Sequence, residues 1–134
     1  MTPLEQALHE HQEGPSGYYP ELTLTAYQVE CYRYAQWTGP GASDLGGLSP
    51  AVYCTLGIAG EAGEFADKMK KICRDGMTNE AVQGLKLELG DVLWYVGQAA
   101  KMLGWTLGEV AEANLQKLAD RRARGVLRGS GDDR

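Results

Sequence analysis

The chain has 134 residues, with 13 Lys and Arg against 18 Asp and Glu and a formal charge of −5. That length fits one domain with a single core. The acidic balance argues against a nucleic-acid polymer or an anionic membrane as partner, since both draw on basic surfaces; a phosphate ligand stays open if a metal ion intervenes.

Residues 1–21 carry Gly14, Pro15, Ser16, Gly17 and Pro20, which punctuate structure, and read as an N-terminal arm. The arm lacks the basic-then-apolar layout of a signal peptide, and no run of about 18 apolar residues occurs anywhere, so a soluble cytoplasmic protein is expected. His9 and His11 are two apart, a spacing that does not share a helix face. From Leu22 the pattern becomes helical, with Thr23 or Thr25 as cap and Leu24, Tyr27, Cys31, Tyr34 and Ala35 repeating to about Trp37. A glycine-rich connector follows, residues 39–47, without the spacing or the lysine of a phosphate loop. Ser49 and Pro50 start a second helix, expected to end at Asp75 and Gly76. A third is expected over about 80–103, and Thr106 with Glu109 forms a capping box for a fourth over 107–123. Residues 126–134 read as a disordered tail. Cys31, Cys54 and Cys73, odd in number and embedded in helical patterns, read as small hydrophobes. No stretch alternates long enough to argue a strand, so the expected fold is an all-α bundle of four to five helices.

Two acid pairs stand out. Glu61 and Glu64 lie three apart in the second helix, Glu88 and Asp91 three apart in the third. On a helical projection each pair flanks the same side of an apolar stripe: Ile58, Phe65, Met69 and Ile72 in the second helix, and Leu85, Leu89, Val92, Val96, Ala99 and Leu103 in the third, with each stripe centred about 50–60° from the leading acid. A lone pair of this kind is usually a solvated face. Here Glu88 and Asp91 have no Lys or Arg three or four residues away, and the surrounding text, Leu87 to Val96, is apolar on nearly every side. Carboxylates in such a helix need a compensating charge. Lys68 can serve one of them; a divalent cation serves all four, and an oxygen-only set suits magnesium or manganese rather than zinc or copper. A ferritin-like di-iron bundle would need Glu-x-x-His motifs, which are missing.

On the last helix Asn114, Lys117 and Arg121 share a strip. By itself it reads as a cationic helix end; beside an acidic metal site it suits the oxygens of a polyphosphate.

Glu61-x-x-Glu64 and Glu88-x-x-Asp91, within GEAGE and ELGDVLWY, together with AEANLQKLADRRARG, resemble the MazG-like all-α nucleoside triphosphate pyrophosphohydrolases over residues 22–125. The resemblance implies hydrolysis of a nucleoside triphosphate to monophosphate and pyrophosphate, with Glu61, Glu64, Glu88 and Asp91 holding magnesium and Glu61 or Glu64 activating water. Lys68, Lys71, Lys117 and Arg121 would meet the leaving pyrophosphate and Asn114 the phosphate or sugar. Tyr27, Trp37, Trp94, Tyr95 and Gln98 are candidates for base and sugar, most of the aromatics being expected in the core. Gln28 resembles a glutamine near the start of the family's first helix and is weighted above them. The resemblance also implies a homodimer or a tetramer of paired dimers, in keeping with a third helix too apolar for one small bundle to cover. Which base and sugar are taken stays open, with deoxyuridine triphosphate, other deoxynucleotides and damaged nucleotides as choices in a house-cleaning role. The family often carries a further glutamate just before the leading acid, where this chain has Gly60. That departure supports a second reading, a helical sensor or adaptor that binds metal and nucleotide without turnover.

Overall fold

A computed structural model describes residues 22–38 and 41–131. The expected arm at 1–21, with His9 and His11, lies outside the described residues. Among those described there are four α-helices and no strand: α1 Leu24–Tyr32, α2 Pro50–Asp75, α3 Asn79–Met102 and α4 Leu107–Ala123, with one 3-10 turn at Leu45–Gly47. None of these helices is long and apolar enough to cross a membrane.

The helix starts follow the sequence signals. Thr23, Ser49, Thr78 and Thr106 each accept a hydrogen bond from a backbone amide of the first turn, and Thr106 with Glu109 completes the capping box in both directions. Gly76, at φ +99°, ends α2 and lets the chain reverse within a few residues into α3. The result is a long antiparallel hairpin, since α2 alone, with 26 residues, spans about 39 Å. The α2–α3 packing dominates the molecule; α1 lies on α3, and α4 packs on α1 and α3.

The first helix is shorter than its periodicity implied. It stops at Tyr32, where the amides of Arg33, Tyr34 and Ala35 turn to carbonyls three residues back and tighten the chain out of the α-helix. The following turns free Trp37 to pack edge-on against Tyr53 of α2 and Trp94 of α3, with ring centroids 5.5 and 5.8 Å away.

The inward face of α3 also differs from the apolar projection. Its buried residues are Leu85, Glu88, Gly97, Gln98 and Ala100, whereas Leu89 and Leu103 are 53% and 58% exposed. In α2, Cys54 and Ile72 are buried, Ile58 and Phe65 half-buried, and Met69 exposed. Glu61, Glu88 and Asp91 meet where α2 faces α3, because the side of α3 turned toward α2 is the one that carries Glu88, and part of its leucine side faces outward in the single chain.

Candidate active site

The two halves of the hairpin are held at close range by a glycine. Tyr95 lies directly over Gly57, so that a Cβ at that position would overlap its ring. One turn further along α2, Glu61 meets Glu88 and Asp91 of α3, and each of the three offers a carboxylate oxygen such that all lie within 4.8 Å of one another. Glu88 is buried at 7% exposure, Glu61 half-buried and Asp91 exposed, so the trio opens from the seam toward solvent.

Three like charges at that separation oppose one another. Burial first, then the charges of Glu64, Asp91 and Glu88, push the Glu61 carboxyl above the usual glutamate value. Lys68, two turns along α2, forms an ion pair with Glu88, and the Glu88 carboxylate holds its ammonium above the usual lysine value. One cation thus offsets part of the charge, as the sequence allowed.

Glu64 is exposed and contributes no oxygen to the trio, though its charge is felt at Glu61. It lines a shallow hollow of about 440 Å³ with Gly60, Gly63, Asp67, Lys68 and Lys71. A second hollow of about 410 Å³ runs from Lys68 and Lys71 past Gly84 to Gly76 and Thr78 at the hairpin turn. Lys68 and Lys71 line both. Lys71 pairs with Asp67 at 2.6 Å and Lys70 with the same carboxylate at 2.7 Å, and these bonds, Lys70 first, bring the Asp67 carboxyl down to about 2. Asp67 was not among the expected site residues; its place two turns after Gly60 on the same wall as Glu64 is a signal that the acid pairs overshadowed.

Above the trio stands an aromatic group. Tyr95 contacts Trp94 at 4.9 Å and Tyr53 at 6.1 Å between ring centroids. Burial, then the hydroxyl of Tyr53, raise the Tyr95 phenol to about 12, with a smaller contribution from Glu61. The Trp94 indole donates to the Cys31 carbonyl at 3.1 Å, and the Tyr27 hydroxyl donates to the Gly90 carbonyl at 3.4 Å. Tyr27 and Trp94 thus tie α1 to α3, as core aromatics were expected to do.

Gln28, expected as a substrate contact, sits deep in the fold. Its side chain is fully buried, its amide nitrogen donates to the carbonyls of Gly97 and Trp105 at 2.9 and 3.1 Å, and its oxygen accepts from the Leu107 amide at 2.9 Å. Every hydrogen-bonding direction used joins α1 to the end of α3 and the start of α4. This glutamine is a bracket in the fold.

The basic strip of α4 is not drawn to the acids of its own chain. Neither hollow beside the trio has a lining residue from α4 among the described residues. Asn114 and Lys117 are exposed, and Arg121 separates from them by turning inward: it is 5% exposed and donates to the Gly131 carbonyl at 3.4 Å. The C-terminal residues described, 126–131, return over the end of α4, where the Val126 amide bonds to the Arg121 carbonyl.

The donor set fits a hard divalent cation. It contains carboxylate oxygens only, two of them accessible, and includes no imidazole or thiolate. Residues 53–126 match the MazG nucleotide pyrophosphohydrolase domain, a span that contains all four acids and the strip of α4. The chain is also 49% identical over 98 residues to the Gene 37 protein of Mycobacterium phage L5, an alignment that covers 71% of this chain and 86% of that protein. No solved structure gives a significant match.

Proposed function

The chain belongs to the MazG nucleotide pyrophosphohydrolase family, and from that premise we propose that it hydrolyses a nucleoside triphosphate to the monophosphate and pyrophosphate, as a cytoplasmic enzyme clearing unwanted nucleotides. The observation that carries this reading is the trio of Glu61, Glu88 and Asp91, brought from two facing helices to within 4.8 Å at an electrostatic cost visible in the raised Glu61 carboxyl.

Magnesium, or manganese in its place, would be held by Glu61, Glu88 and Asp91 with Glu64 beside them, and would supply neutralisation of phosphate charge. The chain's own groups do the rest. Glu61 or Glu64 orients a water and takes its proton as the water oxygen bonds to the α-phosphorus. The bond from that phosphorus to the α,β-bridging oxygen breaks, and the pyrophosphate leaves toward Lys68 and Lys71, which line the adjoining hollows.

The active unit in this reading is a homodimer or a pair of dimers. Val82, Leu89 and Leu93 form an exposed apolar line on α3, and pairing two chains there covers it. Asn114 and Lys117, exposed on α4 and outside the lining of both hollows, would then meet the phosphates of a nucleotide held by a neighbouring chain.

The test is pyrophosphate release by the purified protein from a panel of nucleoside triphosphates with magnesium, with manganese and with chelator. Metal-dependent release from one or a few substrates, abolished in Asp91→Asn and strongly reduced in Glu64→Gln, is expected. Metal and nucleotide binding without release would replace the enzyme by a sensor, with Gly60 as the first residue to change.

A further inference from the structure

Among the described residues two glutamines are fully buried, and they differ in kind. Gln28 uses its amide nitrogen and oxygen in three hydrogen bonds. Gln98 is as deeply buried, yet among the described residues neither its amide nitrogen nor its oxygen has a partner. A buried carboxamide left unpaired lowers stability, and native interiors avoid it unless something else uses the group.

The surroundings indicate what that use is. Gln98 follows Trp94 and Tyr95 by four and three residues on α3, and helical side chains lean toward the N-terminus, so its amide is carried over the turn that bears these two rings. The same aromatic group contains Trp37, whose indole Nε1 is likewise buried without a partner. Trp37 comes from the turn segment after α1 and touches Tyr53 and Trp94 only by ring edges, both at 65°. It gives up no side-chain hydrogen bond if it moves, whereas Trp94 is anchored to the Cys31 carbonyl.

We propose that Gln98 reads the nucleobase of the substrate, in a pocket walled by Tyr53, Trp94 and Tyr95 and opened by displacement of Trp37. The ligand class rests on the pyrophosphohydrolase reading above. A nucleobase offers a flat face to aromatic rings and an edge with an adjoining donor and acceptor, which a carboxamide pairs with in two hydrogen bonds. The span also fits. Gln98 lies seven residues beyond Asp91, a rise of about 10 Å along α3, with Tyr95 between them close enough to feel the Glu61 charge. The phosphate end then lies at the acids and the base end at Gln98. A polar group that is unpaired until the right base arrives discriminates strongly against a base that cannot pair with it.

Two variants, Gln98→Leu and Gln98→Met, test this in the full chain, the second as an unbranched replacement if the first fails to fold. In one arm kcat/KM is measured for the common ribo- and deoxynucleoside triphosphates. The expected result is a base preference in the parent that drops by at least about tenfold for the favoured nucleotide in either variant, with the others little changed, while the unfolding midpoint rises because the unpaired amide is gone. A parent without base preference, or a ranking that the variants leave intact, overturns the proposal and leaves the hydrolase reading standing. In the other arm, metal-free protein is titrated with free nucleosides and followed by tryptophan fluorescence. Nucleoside binding that weakens at least about tenfold in the variants supports the base pocket even if no triphosphate is hydrolysed, in which case the hydrolase reading alone fails. Absence of nucleoside binding by the parent, or equal binding by parent and variants, overturns it.

Discussion

Glu61 is held where its charge is least welcome, between Glu64 on its own helix and Glu88 and Asp91 on the next. Because its folded-state pKa is raised, the folded chain takes up a proton that the unfolded chain has released. Metal-free stability at this group is therefore greatest when it is protonated and falls as pH rises from the ordinary glutamate value through the raised one. Asp67 has the opposite sign, its carboxyl lowered to about 2 by Lys70 and Lys71, but it is solvent-exposed and screened. Glu61→Gln is expected to raise the unfolding midpoint of the metal-free protein at neutral pH, to flatten this part of its pH dependence, and to cut turnover by roughly 100-fold or more. Thermal melts with and without magnesium check the first two, and pyrophosphate release the third. Two nearby glycines make a second contrast. A Cβ at Gly60 meets nothing within 4 Å, so Gly60→Ala should stabilise α2 by about 0.5–1 kcal/mol through helix propensity. At Gly57 the same change collides with the Tyr95 ring and should destabilise by about 1–3 kcal/mol. Denaturant melts of the two variants, if they moved in the same direction, would remove the tight seam from the account.

At the scale of elements, the α2–α3 hairpin builds the site and α1 with α4 hold its open end. The acids meet because both helices run long and antiparallel, with a tight reversal at Gly76 and a close approach at Gly57 setting the register. Gln28 then fastens the other end of α3 through Gly97, Trp105 and Leu107. Gln28→Ala removes the side-chain partner of the Gly97 and Trp105 carbonyls and of the Leu107 amide in a buried setting and should cost about 3 kcal/mol, read as a shift in denaturant midpoint. Its effect on KM should be small compared with that of Lys68→Ala, which removes a cation from the wall of both hollows. A Gln28 variant of normal stability and much weakened substrate binding would restore the substrate role that its sequence position suggests.

For the whole molecule, the notable feature is how much apolar surface one chain leaves uncovered. Val82, Leu89 and Leu93 are exposed along α3, Leu87 is 67% exposed, and Val52 and Leu56 are exposed on α2. Contiguous apolar surface of this kind is normally covered by a partner. The protein is expected to sediment as a dimer or larger, and Leu89→Lys with Leu93→Lys to shift it toward monomer with loss of activity. A parent that sediments as a monomer at micromolar concentration would end the proposed assembly.

The sequence by itself determined four helices, the extent of three of them, the caps at Ser49 and Thr106, and the four acids. Helical periodicity, Ser or Thr before each start and glycine after the α2 end are local devices that act whatever the rest of the chain does, and three of the four helices begin and end within a residue or so of the expected positions. It also determined the family, because the two acid pairs and the closing helix are linear patterns. Only the tertiary structure decided which side of α3 faces inward, since an apolar projection treats every leucine as core and cannot know that α2 will take the carboxylate side. The same limit explains Gln28 and Gln98. In the sequence both are polar residues in helices and candidates for the substrate; in the fold one finds three backbone partners and the other finds none among the described residues. Hydrogen-bond satisfaction depends on groups brought from distant parts of the chain, and that is information only the packed structure contains.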